Sequence, residues 1–235
     1  MSKASAYAVR DPEITAQYMD FTKPIDQQTK TGDEDDVNKS VMRFVADCYS
    51  CGSQGFTQMC ISSIPFFKEI IIMAFSCDKC GYKNTEVKTG GGIGPKARRI
   101  TFKFEKEEDL NRDCFKSDTT QLEIPELELV LEPGTLGSMY TTVEGLLTKI
   151  HDQLEKDNPF KTGDSADGQK FKELLTKIQL FSEGKSNFTL ILDDGLANQF
   201  MYNPFAPEAD PQMTVEEYDR TEEQMDDLGI SQMKV

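Results

Sequence analysis

Two short cysteine pairs, Cys48-Tyr49-Ser50-Cys51 and Cys77-Asp78-Lys79-Cys80, constrain this chain more than any other feature. A gap of two residues lets both thiolates of a pair reach one ion, and four thiolates complete a closed tetrahedral shell. Such a shell leaves no position for water or substrate, so the spacing predicts one structural Zn2+ held by Cys48, Cys51, Cys77 and Cys80. Each second cysteine is followed by a glycine, Gly52 or Gly81, a residue that accepts the positive φ of a tight turn and lets backbone N–H groups face the sulfurs. The 25 residues from Gly52 to Ser76 exceed the usual ribbon spacing, and a hairpin would fill them without straining the ligands. The alternatives are a redox Cys-x-x-Cys, which needs only one pair, and disulfides, which need an oxidising compartment. Cys60 and Cys114 have no knuckle partner and read as small buried apolar residues.

The rest of the chain supplies little that could be catalytic. Its one histidine, His151, cannot build a two-histidine iron centre, a cupin site or a hydrolytic zinc site, and it falls in a predicted helix as an exposed surface imidazole. Asp193 and Asp194 are adjacent, so on a strand they face opposite ways and make a poor acid–base pair. Gly90 to Pro95 lacks the Gly-Lys-Ser/Thr ending and the following helix of a phosphate loop, and reads as a loose hairpin turn. Gly163 to Gly168 lacks the spacing and closing glutamate of a calcium loop. We therefore expect no enzyme.

Charge narrows the partners. The net charge is −15, which repels phosphate backbones and anionic lipid and favours a basic protein surface. The densest basic patch, Lys96-Ala97-Arg98-Arg99, reads as a solvated turn. The longest apolar run, Ile70 to Phe75, is far too short to span a membrane. The opening residues are polar and carry Pro12 and Pro24, unlike a secretory signal, so unpaired thiols point to a reducing compartment.

Along the chain, residues 1–40 are poor in apolar residues and read as a disordered linker or tail. Residues 41–90 read as the finger: strands at Met42–Asp47, Phe56–Ile61, Glu69–Phe75 and Thr85–Lys88 with the knuckles between them. Period-two alternation then marks strands at Ile100/Phe102/Phe104, Leu122/Ile124, Leu127/Leu129/Leu131 and Phe188/Leu190/Leu192, with a bulge or edge at Pro125. A short strand at Phe200–Tyr202 is expected to pair back across the turn Asp193-Asp194-Gly195. Thr141-Thr142-Val143-Glu144 has the form of a capping box with Thr141 as N-cap. It opens a helix with Val143, Leu146, Leu147, Ile150 and Leu154 on one face. A second helix carries Phe171, Leu174, Leu175 and Ile178 and stops near Gly184, so a helical hairpin occupies about 142–184, its linker from Asn158 to Gly168. Residues 91–207 form the second domain, and 208–235 an acidic C-terminal segment, either a solvated tail or an electrostatic docking strand for a basic partner.

Several of these blocks resemble one known family. Ile64-Pro65-Phe66-Phe67-Lys68-Glu69-Ile70-Ile71 runs into Cys77 to Tyr82 and then Asn84 to Gly91. Arg112-Asp113, Lys116-Ser117, Ile124-Pro125-Glu126-Leu127, Thr141 to Leu147, Asn203 to Pro207, Thr221 and Leu228-Gly229 follow in order. Together they resemble the ZPR-type zinc-finger proteins over about Met42 to Lys234. The resemblance implies a mostly β fold with a helical hairpin: a four-cysteine zinc ribbon followed by a double-stranded β-helix (jelly-roll-like) domain. It also implies a non-enzymatic, cytoplasmic and nuclear protein that binds translation elongation factor 1-alpha and assists its folding, and that binds receptor tyrosine kinases. An exposed-aromatic partner site is a candidate at Phe66, Phe67 and Lys68, on the finger tip, the alternative being that the two aromatics pack on the adjacent domain. An RNA- or ribosome-associated zinc ribbon is the alternative, and the net charge argues against it. Two-module members of the family are eukaryotic, and this chain resembles the C-terminal module. Asp11-Pro12-Glu13-Ile14-Thr15 matches Asp210-Pro211-Gln212-Met213-Thr214 in type, with Asp20 and Thr22 in step with Asp219 and Thr221. Residues 1–40 are accordingly expected to be the end of an upstream module and its linker.

Overall fold

A computed structural model describes residues 41–64, 67–90, 92–157 and 166–233. The expectations for residues 1–40, Phe66 and most of the inter-helix linker lie outside them. The described residues divide into two compact units, one ending at Gly90, the other holding Phe67, Lys68 and everything from residue 92.

The first unit is an antiparallel meander of β1 (Met42–Asp47), β2 (Gln54–Ser63), β3 (Glu69–Ser76) and β4 (Lys83–Thr89). The long gap between the cysteine pairs is filled by the β2–β3 hairpin, in register from Phe56 opposite Ser76 to Ser63 opposite Glu69. In a meander, alternate turns lie at the same end of the sheet. The β1–β2 and β3–β4 turns, which carry the two cysteine pairs, therefore meet at the end opposite the β2–β3 connection.

The second unit has two antiparallel sheets. The larger orders its strands as β12 (Met213–Tyr218), β5 (Ala97–Lys103), β10 (Thr189–Asp194), β7 (Thr120–Ile124) and β8 (Leu129–Leu131). The smaller orders β11 (Phe200–Met201), β6 (Asp113–Lys116) and β9 (Met139–Thr142). Alternation read from the sequence survives as burial: Leu122 and Ile124 of β7, Leu190 and Leu192 of β10, and Ile100 and Phe102 of β5 all face the core. Two helices, α1 (Val143–Lys156) and α2 (Ala166–Ser182), are inserted between β9 and β10 and pack on each other. They add Leu146, Leu147, Ile150, Ile178 and Phe181 to the same core. Phe188 sits between two rings, stacked on Phe104 at 4.9 Å and on Phe181 at 5.0 Å. Helix α2 ends where Gly184 adopts φ 67° and Lys185 N–H donates to the Leu180 carbonyl at 2.9 Å, a left-handed cap that suits glycine.

Several expectations need correction. Thr142, the last residue of β9, and not Thr141, caps α1: its hydroxyl accepts from Gly145 N–H at 3.1 Å. Pro125–Leu127 is a 3-10 turn, not a bulge, and with Glu128 at φ 51° it closes a β7–β8 hairpin. The β11 strand follows the Asp193-Asp194-Gly195 turn but does not pair across it; it joins β6, with Phe200 opposite Phe115. The cause lies in Asp194, whose carboxylate accepts the Leu196 and Asn198 N–H groups and turns the chain away, with Ala197 at φ 56°. The strands on either side of the glycine run, β4 and β5, belong to different sheets and do not pair as a hairpin.

The largest correction concerns 208–233, which is not a solvated tail. Met213–Tyr218 is the outermost strand of the larger sheet, paired with β5 from Met213 opposite Phe102 to Tyr218 opposite Ala97. A short helix α3 (Glu222–Asp227) follows, capped by a Thr221–Gln224 capping box. The anchor is buried and polar. Arg112 donates to Asp109 at 3.0 Å, to Gln212 at 2.6 Å and to Asp210, and its guanidinium lies 4.9 Å from the Phe102 ring centre.

Candidate metal centre

Each cysteine pair is built by the same backbone device. Cys48 N–H donates to the Ser53 carbonyl at 2.8 Å and Gly52 N–H to the Cys48 carbonyl at 2.8 Å. In the second knuckle Cys77 N–H donates to Tyr82 and Gly81 N–H to Cys77, both at 2.9 Å. Gly52 at φ 68° and Gly81 at φ 75° make these closures possible without Cβ strain. The glycine N–H groups are used on carbonyls, and the backbone N–H groups that face the sulfurs as expected are those of the next residues, Ser53 to Cys51 and Tyr82 to Cys80.

The four sulfurs Cys48, Cys51, Cys77 and Cys80 lie within 4.8 Å of one another, with Cys48 and Cys77 buried and Cys51 and Cys80 exposed. Cys48 Sγ to Cys80 Sγ is 3.5 Å and Cys51 Sγ to Cys77 Sγ is 3.7 Å. A tetrahedron with Zn–S of about 2.3 Å has an S–S edge of about 3.8 Å, so these separations fit one zinc ion and are far from an S–S bond. The Ser53 hydroxyl, then its backbone, brings the Cys51 thiol down to about 6. Cys80 goes up to about 11: the Tyr82 backbone favours its thiolate, but desolvation and the neighbouring sulfurs Cys51, Cys48 and Cys77 outweigh it. Four crowded sulfurs cannot all ionise without a cation, and a divalent ion removes that conflict. Ser53 and Tyr82 are the supporting residues that spacing alone missed; their only sequence signal is their place after the knuckle glycines.

Of the expected partner residues that are described, Phe67 and Lys68 take the packed alternative rather than standing on an exposed finger tip. Phe67 belongs to the second unit, half-buried, with its ring 4.9 Å from Phe200 and 6.0 Å from Phe115. Lys68 is in the same unit and donates to Asn198 Oδ1 at 2.8 Å and to the Ala197 carbonyl at 3.2 Å; burial lowers its pKa. The aromatic exposed at the knuckles is Tyr49, at 94%. Nor is the basic patch a solvated turn. It opens β5, where Arg99 binds Asp193 at 2.6 Å, Arg98 meets Glu217 at 3.3 Å and Lys96 meets Asp219 at 3.5 Å.

The remaining candidates have structural settings. Asp193 accepts from Arg99 and, at 2.6 Å, from Tyr218. Asp194 is fully buried and accepts from the hydroxyls of Ser117 at 2.5 Å, Thr119 at 2.7 Å and Thr120 at 3.1 Å. Cys114 is buried, which pushes its thiol up to about 12, while Cys60 is only half-buried. His151 is half-buried on α1, 3.3 Å from Asp152; with Glu155 these form the other ligand-type cluster among the described residues, an ordinary charged helix surface. No helix among the described residues is long and apolar enough to cross a membrane.

A four-thiolate ribbon followed by a jelly roll with an inserted helical pair defines a zinc-finger protein whose metal shapes the fold. Comparison with known proteins names the family. A model described as the ZPR1 zinc-finger domain matches residues 40–95, and one described as the ZPR1 jelly-roll domain matches residues 108–230. The chain is 42% identical to the zinc finger chaperone zpr1 of Schizosaccharomyces pombe over 92% of its own length and 50% of that relative. It is 42% identical to the human zinc finger protein ZPR1, over 86% of this chain and 44% of that one. An uncharacterized ZPR1-like protein of Methanocaldococcus jannaschii is 30% identical over 65% of this chain and 77% of its own. The chain belongs to the ZPR1 family, and it spans about half the length of the eukaryotic relatives it matches.

Proposed function

We propose that this chain is a zinc-stabilised protein-binding module that binds translation elongation factor 1-alpha and assists its folding, in the cytoplasm and nucleus, with receptor tyrosine kinases as further partners. The observation that carries the reading is the match along 92% of the chain to a relative named a zinc finger chaperone. The site's chemistry supports it. All four metal positions are taken by thiolates, so the ion shapes a knob and performs no hydrolysis. The chain's net charge of −15 suits a basic client. Ion pairs from Lys96, Arg98 and Arg99 to acidic neighbours leave that patch poorly suited to phosphate, which disfavours the RNA-binding alternative.

The test is capture from cell lysate by the immobilised chain at low salt, with and without a zinc chelator, read by mass spectrometry. Elongation factor 1-alpha is expected among the captured proteins, and is expected to be lost with chelator. Zinc-loaded protein that recovers none would overturn the proposal.

A further inference from the structure

The outer rims of both knuckles stand in solvent. Tyr49 to Gly52 in the first and Asp78 to Gly81 in the second are all exposed, whereas Cys48 and Cys77, at the base of the two turns, are buried. Each turn thus offers one open cysteine and one sheltered one. Across the centre they face each other in mixed pairs: exposed Cys51 lies 3.7 Å from buried Cys77, and exposed Cys80 lies 3.5 Å from buried Cys48.

Both contacts run from one knuckle to the other, so a bond at either place would join the β1–β2 turn to the β3–β4 turn. An S–S bond is about 2.05 Å long, so either pair has about 1.5 Å to close. Each turn is already locked as a unit: Gly52 N–H on the Cys48 carbonyl and Cys48 N–H on the Ser53 carbonyl close the first, and Gly81 and Cys77 close the second in the same way. A small shift of one locked turn against the other makes a cross-knuckle bond. A bond within a knuckle has to deform the turn itself.

A bound zinc ion keeps all four sulfurs as thiolates, the form that oxidants attack. Susceptibility follows thiolate character and access, and a second sulfur within reach makes the product a disulfide. Cys60 and Cys114 do not meet these conditions. Both stand outside the four-sulfur group; Cys114 is buried and Cys60 half-buried.

We propose that the metal centre is a reversible, peroxide-sensitive switch, in which oxidation at Cys51 or Cys80 forms the cross-knuckle disulfide Cys51–Cys77 or Cys48–Cys80 and unloads the finger. Hydrogen peroxide is the oxidant. The exposed thiolate attacks one peroxide oxygen, the O–O bond breaks, hydroxide leaves, and the sulfur becomes a sulfenic acid. The facing thiolate attacks that sulfur, the S–S bond forms, and the hydroxyl leaves as a second hydroxide. The two sulfurs together give up two electrons, and the peroxide takes both. The two thiolates that remain do not complete a four-sulfur shell. A dithiol reductant returns the electrons and restores the four ligands. This control acts on the finger itself and holds whichever protein the chain binds.

The experiment treats the full, zinc-loaded chain with hydrogen peroxide and follows free zinc with a metal-sensitive dye. Trypsin cuts after Arg43, Lys68, Lys79 and Lys83, which puts Cys77 and Cys80 on different peptides. Each cross-knuckle bond to the peptide of Cys48 and Cys51 therefore has its own mass. Zinc release is expected to track the yield of cross-knuckle disulfide, and dithiothreitol with added zinc is expected to restore the loaded protein. Cys114 is expected to oxidise at least about tenfold more slowly than the ligand cysteines. Cys60→Ser leaves every ligand in place and is expected to release zinc at the parent rate. Zinc retained while methionines oxidise would overturn the inference. So would disulfides confined within a knuckle, release that dithiothreitol does not reverse, or release abolished by Cys60→Ser.

Discussion

Replacing Arg112 by methionine isolates what holds the second unit's last strand in place. Arg112 is 6% exposed and lies between Asp109 and Asp210, whose side chains are 2% and 0% exposed. It donates to Asp109 at 3.0 Å, to Gln212 at 2.6 Å and to Asp210, while Asp210 Oδ1 accepts Gln212 N–H at 2.9 Å just before β12 begins. The methionine retains most of the volume and the contact with Phe102 but leaves two carboxylates buried without a cation. Breaking a buried pair in this way costs about 3–5 kcal/mol. For a unit of this size each kcal/mol moves the melting temperature by roughly 2–4 °C, so a fall of about 6–20 °C is expected. Urea unfolding gives the free energy directly, and adding Asp210→Asn to Arg112→Met should recover part of the loss by removing one stranded charge. Arg112→Lys keeps the charge without the fork and should cost about 1–2 kcal/mol. An Arg112→Met protein within about 1 kcal/mol of its parent would refute the reasoning, because the network would then not be anchoring the strand.

Three further outcomes follow from the same structure. Asp194→Asn replaces an acceptor of three hydroxyls and two backbone N–H groups by one that also carries an N–H2, and is expected to cost about 2–3 kcal/mol by urea titration. Burial by itself would raise the Asp109 pKa, but hydrogen bonds from Gln212, the Lys106 and Glu105 amides and Arg112 bring it below the ordinary carboxylate range. Its contribution is therefore complete above the unfolded value of about 3.9 and is lost as pH falls through the lower folded value. Urea midpoints measured from pH 7 downward should show this acid loss, and Asp109→Asn should flatten it. Gly55→Ala in β2 would set a Cβ 2.6 Å from the Phe75 ring and 2.6 Å from the Ser76 carbonyl oxygen, next to the second knuckle. A cost of about 1–3 kcal/mol is expected, read as faster zinc loss to a chelator.

The parts of the fold that sequence revealed are those governed by local chemistry. Knuckle spacing named the ligands, because two thiolates two residues apart must share an ion, and the β2–β3 hairpin that fills the gap follows from it. Alternation at Phe102, Leu122, Leu190 and Leu192, and the stripe Val143–Leu146–Leu147–Ile150, predicted which faces are buried. What misled were charges. Glu217 and Asp219 look like part of a solvated run, yet Glu217 sits on edge strand β12 opposite Arg98 and Asp219 follows it, and they pair with Arg98 and Lys96 more than a hundred residues away. Asp194 breaks the expected β10–β11 pairing through local bonds from the Leu196 and Asn198 N–H groups, but the hydroxyls of Ser117, Thr119 and Thr120 that hold its buried carboxylate there are remote in sequence. Sequence leaves Phe67 open between an exposed tip and packing on the second domain, and Phe115 and Phe200, remote in sequence, decide for packing.

Elemental analysis of the purified chain and of its Cys77→Ser variant bears most directly on the structural role of the ion. One zinc per chain is expected for the parent, with zinc lost and the β1–β4 unit unfolded in the variant, since binding and folding are one event in such modules. A metal-free parent that is fully ordered, or a variant that keeps stoichiometric zinc and the parent's thermal stability, would contradict it.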